Sequence, residues 1–547
     1  MRSWKHLIAL PAAGALVAGL LVAGASPAAW SKPAAPTAST GKGAAAARSV
    51  NLTTAAKGAQ IAPKARTFGP LGRDGLPTGT SLSAKSAVGA KPVIAATKTS
   101  GPNVRTTVSG RSTVQPLIAP GTTNANFAGI TQAGANCGGC QPPDPNAAVS
   151  PSQIAHAVNL RLQVFSKTGA TLCGIGLNSL LGFSGQISDP RIQWDNLNNR
   201  FTMVVIPVPT STTSTPRMFL LASQTSNACS SWWIYNLSFS GSLYPAGTLL
   251  DYPYLGQDRR ALLLSSNNFR RNATGGFSYI NSAVFSINKA AVYAGAGVSF
   301  PAFAVGFSTA PVTVTGIPIA ATTFAYYLRS IPGTGYQLYR MANSGIAGTT
   351  LTAQAVASSA FVAPPRRVRQ PGTTVTLDPL DGRIQNTPFQ DEGFVWFTHG
   401  QGVSGFPAVR YGAINTSTNA VTAQNAFRSA TSDDFNPSIG VADAGAGVVY
   451  LWLNWAYTDT PNGRATSHTV DGVTPGSGVP ALIGTGRVLI NGFTTTTNTR
   501  FGDYSSVSVD PTAASATCPA GRTAVLAQQV FQSNSQWITR IARVSFC

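Results

Sequence analysis

Negative charge is scarce in this chain of 547 residues. Asp and Glu total 17 against 38 Lys and Arg, a formal net charge of +21, and Glu392 is the only glutamate. Charged residues of either sign make up 10% of the sequence. That low charge density, with 55 glycines and much Ser and Thr, argues against a helical cytosolic protein and suits a sheet-rich exported one. No long helical period is found. There is no P-loop, dinucleotide fingerprint or HExxH. GFSGQ at 182–186 is not a G-x-S-x-G elbow, so a serine nucleophile has no support there. Beyond His6, only His156, His399 and His468 are available as imidazole ligands.

What is present begins with an export pattern. Arg2, Lys5 and His6 precede an almost wholly apolar Leu7–Ala25, which ends on Ala23-Gly24-Ala25. This predicts a cleaved signal peptide over 1–25, the alternative being an uncleaved anchor. No second run of membrane-spanning length follows, so no transmembrane segment is expected after cleavage. Six cysteines in an exported chain predict three disulfides. Of about fifteen possible pairings, we favour Cys137–Cys140, Cys173–Cys229 and Cys518–Cys547. The CGGC at 137–140 could also be a redox pair or half a zinc site, but Pro142 and Pro143 follow where a redox motif opens a helix.

Residues 26–125 read as a disordered basic spacer rich in Ala, Thr, Ser and Pro. Its twelve cations face Asp74 alone, and it has too little apolar surface to offset ordering entropy. Residues 126–547 read differently, as strand-length runs between Gly, Pro, Asn and Asp turns. One phrase recurs: an acid beside Pro or an aromatic, a short apolar strand, a polar turn, and a longer apolar strand. It starts at Asp144, Asp189, Asp251, Asp381, Asp434 and Asp503, and a worn copy near Gly316 fills the double gap before Asp381. Repeats of this length, each supplying about four strands, predict an all-β propeller. We expect seven blades, with six as the alternative. A strand from near Thr113 to Thr131 is expected to complete the last blade and close the ring.

The stretches PPDPNAAVSPSQIAHAVN (142–159), DPRIQWD (189–195), DYPYLG (251–256), QPGTTVTLDPLDGRIQN (370–386) and RFGDYSSVSVDP (500–511) resemble secreted bacterial β-propeller proteins, distantly sialidase-like and largely of unassigned function. The resemblance implies the fold and says little about chemistry. The chain lacks the S-x-D-x-G-x-T-W turns and the Tyr/Phe-Arg-Ile-Pro phrase of sialidases.

Candidate site residues follow from strand position. Blade-start acids Asp144, Asp189, Asp251, Asp381, Asp434 and Asp503 would ring the central channel, where they could bind Ca2+ or simply start turns. Arg191, Arg383 and Arg500 could point into the channel or pair with their own blade-start acids. Glu392 is the weak catalytic candidate; His399, seven residues on, falls on the opposite face of a regular strand. PPRRVRQPG at 364–372 supplies a local cationic patch. The reading is an exported binding or surface-interaction module for glycans or anionic envelope polymers, with no specific nucleic-acid partner. The alternative is a sialidase-like glycoside hydrolase using Glu392 and a channel-side Asp.

Overall fold

The computed structural model describes residues 38–42, 48–51, 120–239, 243–315, 324–391, 393–445, 448–473 and 486–547. They form seven separate sheets, the seven blades of a propeller, antiparallel except where the short strand Thr313–Val314 runs parallel to Phe389–Asp391 in the fifth. The signal-peptide reading, Glu392 and most of the 26–125 segment lie outside the described residues. Among the described residues no helix is long and apolar enough to cross a membrane.

The first blade comprises Asn146–Val149, Gln153–Val158, Arg161–Ser166 and Thr171–Gly176. The second comprises Ile187–Asp195, Arg200–Pro207, Arg217–Ser223 and Ser231–Ser238. The third comprises Thr248–Gln257, Ala261–Arg271, Phe277–Asn288 and Ser299–Val305. The fourth, the worn copy, starts with only Ala310–Pro311 before Phe324–Ile331, Gly335–Ala342 and Thr350–Gln354. In the fifth, Phe389–Asp391 pairs with Phe394–Val403, followed by Phe406–Asn415 and Val421–Ala426. The sixth runs through Asp433–Gly445, Val448–Asp459, Arg464–Val473 and Arg487–Ile490.

The seventh blade closes the ring. Ser506–Val509, Thr523–Ser533 and Gln536–Ser545 are completed by Thr122–Thr131, which pairs with Gln536–Ser545. A strand from before the first blade thus finishes the last one as its outermost strand and ties the two ends of the propeller together. Two pieces of the basic segment are also strands, which composition did not reveal. Ala38–Lys42 extends the third blade and Arg48–Asn51 the second.

The core lies between blades. Leu162, Val164 and Ile175 of the first blade share an apolar cluster with Trp194, Phe201 and Trp232 of the second. Leu220 and Tyr235 of the second meet Leu262 and Phe285 of the third. The seam is filled by Ile154 and Phe165 against Val525 and Ile541. A blade on its own would leave both faces wet, so stability depends on the closed set.

All three favoured disulfides are formed: Cys137–Cys140, Cys173–Cys229 and Cys518–Cys547. The second joins the outermost strand of the first blade to the loop before the outer strand of the second. The third ties the C-terminal residue to its own blade.

Candidate functional site

The innermost strands start at one face of the ring and end at the other, and the two ends are built differently. At the finishing end an oxygen side chain organises the sharp turn in four of the blades. Asp195 Oδ1 accepts from the backbone N–H of Leu197 and Asn198 at 3.0 and 3.2 Å. Asp258 Oδ1 accepts from Arg260 and Ala261 at 2.8 and 2.7 Å. Asp510 Oδ1 and Ser150 Oγ do the same for Thr512 and Gln153. These acids are turn formers.

At the starting end the repeat is a left-handed residue directly before proline. Asp144, Asp189, Tyr252 and Asn436 have φ of 53°, 58°, 50° and 50°, each preceding Pro145, Pro190, Pro253 or Pro437. In the second, third and sixth blades the strand register slips at this dipeptide, a bulge that bends the strand as it starts. The equivalent positions are therefore not all acidic. Asp251 is paired across the sheet with Asn267 inside the third blade. Asp434 accepts from Trp455 Nε1 at 3.0 Å and Ser432 Oγ at 2.7 Å inside the sixth. Neither belongs to a common ring, which corrects the expectation of six equivalent acids.

Three of the acids do meet. The backbone N–H of Asp503 donates to Asp144 Oδ1 at 2.9 Å, and Asn159 Nδ2 donates to Asp144 Oδ2 at 2.7 Å. Tyr504 OH donates to Asp189 Oδ2 at 2.6 Å. Arg500 clasps Asp503 through two contacts of 2.8 Å. Burial pushes the Asp144 carboxyl well above the usual range, and repulsion from Asp503 and Asp189 adds to this. Burial likewise raises Asp503 to about 6, against the pull of Arg500. Among the described residues no three acidic, histidine or cysteine side chains are grouped to hold a metal ion. The calcium expectation finds no ligand set there: the acids are engaged by amide, hydroxyl and guanidinium donors.

The arginines share this axial cluster. Arg383 binds its own blade-start acid, Asp381, at 2.8 and 2.7 Å, as Arg500 binds Asp503. Arg191 does not follow that pattern. Its guanidinium donates to Pro253 O at 3.2 Å, Asn386 Oδ1 at 3.0 Å and Gln385 O at 2.8 Å. It also stacks 3.3 Å above the Tyr504 ring. Gln385 and Asn386 belong to the long connector, residues 355–388, between the fourth and fifth blades. Tyr252 and Tyr254 reach the same connector at Gln385 O and Ile384 O. The connector crosses the starting face and plugs the axis. Every one of Asp144, Asp189, Asp503, Arg191, Arg383, Arg500, Tyr252, Tyr254 and Tyr504 is at most 5% exposed.

Below the plug lies a cavity of about 420 Å³ lined by the innermost strands of the ring. Its deepest walls are Arg191, Asn386 and Ser505; Asn196, Leu197 and Ala520, all exposed, stand at the other end. The channel is blind, closed at the starting face and open at the turn face.

The three histidines sit elsewhere, buried and hydrogen-bonded. His156 contacts Asn146 O and Thr539 Oγ1, His399 contacts Tyr336 OH and Gly400 O, and His468 contacts Asn454 Oδ1. Burial lowers them to about 4, 3 and 3. An unfolded chain therefore takes up these protons as pH falls below 6.5 while the folded chain does not, so acid weakens the fold through them. Asp144, Asp378, Asp471 and Asp503 act in the opposite sense: burial raises them, and the folded chain takes up their protons first. Between about pH 6 and 4 the two groups oppose. Below about 4 the raised acids are spent, and Asp195, Asp381 and Asp459, all held low, lose their ionised contacts. Urea midpoints across pH should be nearly flat between 6 and 4 and drop steeply below. A uniform decline starting at 6.5 would show that the raised acids do not contribute.

No family model matches this sequence, and no curated protein matches it. Among solved structures, the N-terminal domain of Nup159 aligns over 79% of this chain and 97% of its own, at 9% identity and a TM-score of 0.36. A neuraminidase-like protein of A/little yellow-shouldered bat/Guatemala covers 68% and 100%, at 9% identity and a TM-score of 0.35. A Synechocystis apocarotenoid oxygenase mutant covers 63% and 74%, at 11% identity and a TM-score of 0.35. At these scores no site or activity carries over.

Proposed function

We propose that this chain is an exported, non-catalytic propeller that adheres to an anionic glycan or other anionic envelope polymer. One observation carries the reading: among the described residues no aspartate is fully exposed, whereas several arginines are. Of the fifteen described aspartates, twelve are buried, and Asp378, Asp381 and Asp443 are half-buried. Arg259, Arg270, Arg366, Arg367 and Arg464 are exposed. Sequestering acids inside while leaving arginines outside converts a modest excess of cations into a positive surface. That favours polyanions and speeds their capture. Arg366 and Arg367 lie on the connector itself, just before Arg369, which is tied to Asp433 at 2.7 Å. Three disulfides fit an oxidising compartment.

The hydrolase alternative would need carboxylates and arginines that a substrate can reach. The acids and arginines that converge are sealed under the connector, which favours binding over turnover.

Binding to hyaluronate and to polyphosphate should be measurable at low salt and fade as salt rises, with neutral dextran inert. Arg366→Glu with Arg367→Glu should weaken it about tenfold or more. Salt-independent binding, or glycoside turnover abolished by Glu392→Gln, would overturn the proposal.

A further inference from the structure

The blind channel differs chemically from the cationic outer surface. We propose that it is a second binding site, one that takes the uncharged terminal residue of a saccharide. Four observations lead there.

First, it is reachable. Gln193, Thr315, Thr387, Phe389, Ser508 and Val509 line it and are half-exposed although they lie on or beside the innermost strands. Its volume, about 420 Å³, falls within the range of small-molecule clefts.

Second, three of the four carboxylates that line it are already engaged. Asp195 is ion-paired with Lys289 at 2.7 Å and accepts from Tyr293 OH at 2.6 Å. Asp510 is held by Lys167 at 2.7 Å and Arg543 at 2.8 Å. Asp258 is occupied by two backbone N–H groups and Ser344 Oγ. A charged ligand would find no unengaged partner of opposite sign among these three.

Third, two lining amides are half-satisfied. Gln257, 5% exposed, donates through Nε2 to Trp194 O at 2.9 Å, and its Oε1 has no partner. Because a carbonyl only accepts, the orientation of this amide is fixed. Gln193 accepts from Thr313 Oγ1 at 3.2 Å, and its Nε2 has no partner. A buried acceptor and a buried donor left unpaired are costly. Both atoms are closed to solvent, so a ligand hydroxyl, which both donates and accepts, completes either one when the glutamine side chain turns toward the channel.

Fourth, the polar lining is interleaved with Leu255, Phe389 and Val509. A pyranose, with hydroxyls at its edge and C–H groups on its faces, matches such a wall. Because the plug closes the far end, only a chain terminus can enter; the interior of a polymer cannot thread through.

Saturation-transfer NMR on the full chain with glucose, galactose and N-acetylglucosamine tests this. At least one should bind saturably, and with equal strength at low and high salt, which separates this site from polyanion adhesion at the surface. Gln193→Ala should weaken it about tenfold, and Gln257→Met should act similarly. Should the second variant unfold, Gln193→Ala still decides, since its Nε2 carries no bond within the protein. Arg366→Glu with Arg367→Glu should leave saccharide binding unchanged. Absence of saturable binding by all three sugars, meaning a channel filled by water only, overturns the proposal. So does binding that Gln193→Ala leaves intact.

Discussion

Arg191→Met is expected to lower the unfolding free energy by about 3–5 kcal/mol. The substitution keeps an apolar stem of similar length but strands Pro253 O, and it leaves Gln385 O and Asn386 Oδ1 with one donor each, Tyr252 OH and the Ser505 N–H. It also removes the cation stacked on Tyr504. These partners come from the third blade, the connector and the seventh blade, while Arg191 belongs to the second. One guanidinium thus joins distant parts of the ring at its axis. Arg191→Lys should recover little, because a single ammonium cannot reproduce three planar donations plus a ring stack. Urea unfolding of both variants checks this. A loss below about 1 kcal/mol would fall in the range of ordinary surface substitutions and count against the plug as a structural centre.

The second large effect is expected at the rim. Replacing Cys173 and Cys229 together by serine should cost about 4 kcal/mol, the loop-closure value for two residues 56 apart. The bond links the outermost strand of the first blade to the loop before Ser231–Ser238 of the second, and both cysteines pack, partly buried, against the cluster that holds Leu162, Phe201 and Trp232. Oxidised wild type, reduced wild type and the double variant should rank in stability as first above the other two. If all three melt alike, the first and second blades are held by packing alone.

The architecture was legible because blades repeat and repeats leave traces in composition. Asp144-Pro145 and Asp189-Pro190 marked two strand starts, and the polar turn of the repeated phrase falls in the structure at Asp195, Asp258 and Asp510. The alignment drifted where it followed acids rather than geometry. The position that recurs is a left-handed residue before proline, filled by Tyr252 and Asn436 as readily as by aspartate. A search for X-Pro at each strand start would have found Tyr252-Pro253 and Asn436-Pro437 and passed over Asp251 and Asp434. For Arg191, named as a candidate, it is the partners that the sequence hid. Its partners Gln385 and Asn386 stand nearly two hundred residues along the chain, in a connector with no strand pattern, so no local spacing announces them. Nor does composition reveal that the few carboxylates are turned inward. That depends on turn bonds, ion pairs and the axial cluster formed only in the closed ring.

These features explain one another. A narrow ring of seven inner strands brings Asp144, Asp189 and Asp503 close enough to repel. Arg383 and Arg500 offset that repulsion, and the connector keeps water from the set. With the starting face sealed, the cavity communicates only with the turn face. The acids that could have balanced the exposed arginines are consumed in turns and plug, so the surface keeps its positive sign.

The blind channel can be tested by thiol accessibility. Ser508→Cys, on the half-exposed channel wall, and Ser505→Cys, at its sealed end, would each be treated with a small maleimide under native conditions. Rapid labelling at 508, with 505 protected until denaturant is added, is the predicted result. Fast labelling at 505, or protection at both positions, would contradict it.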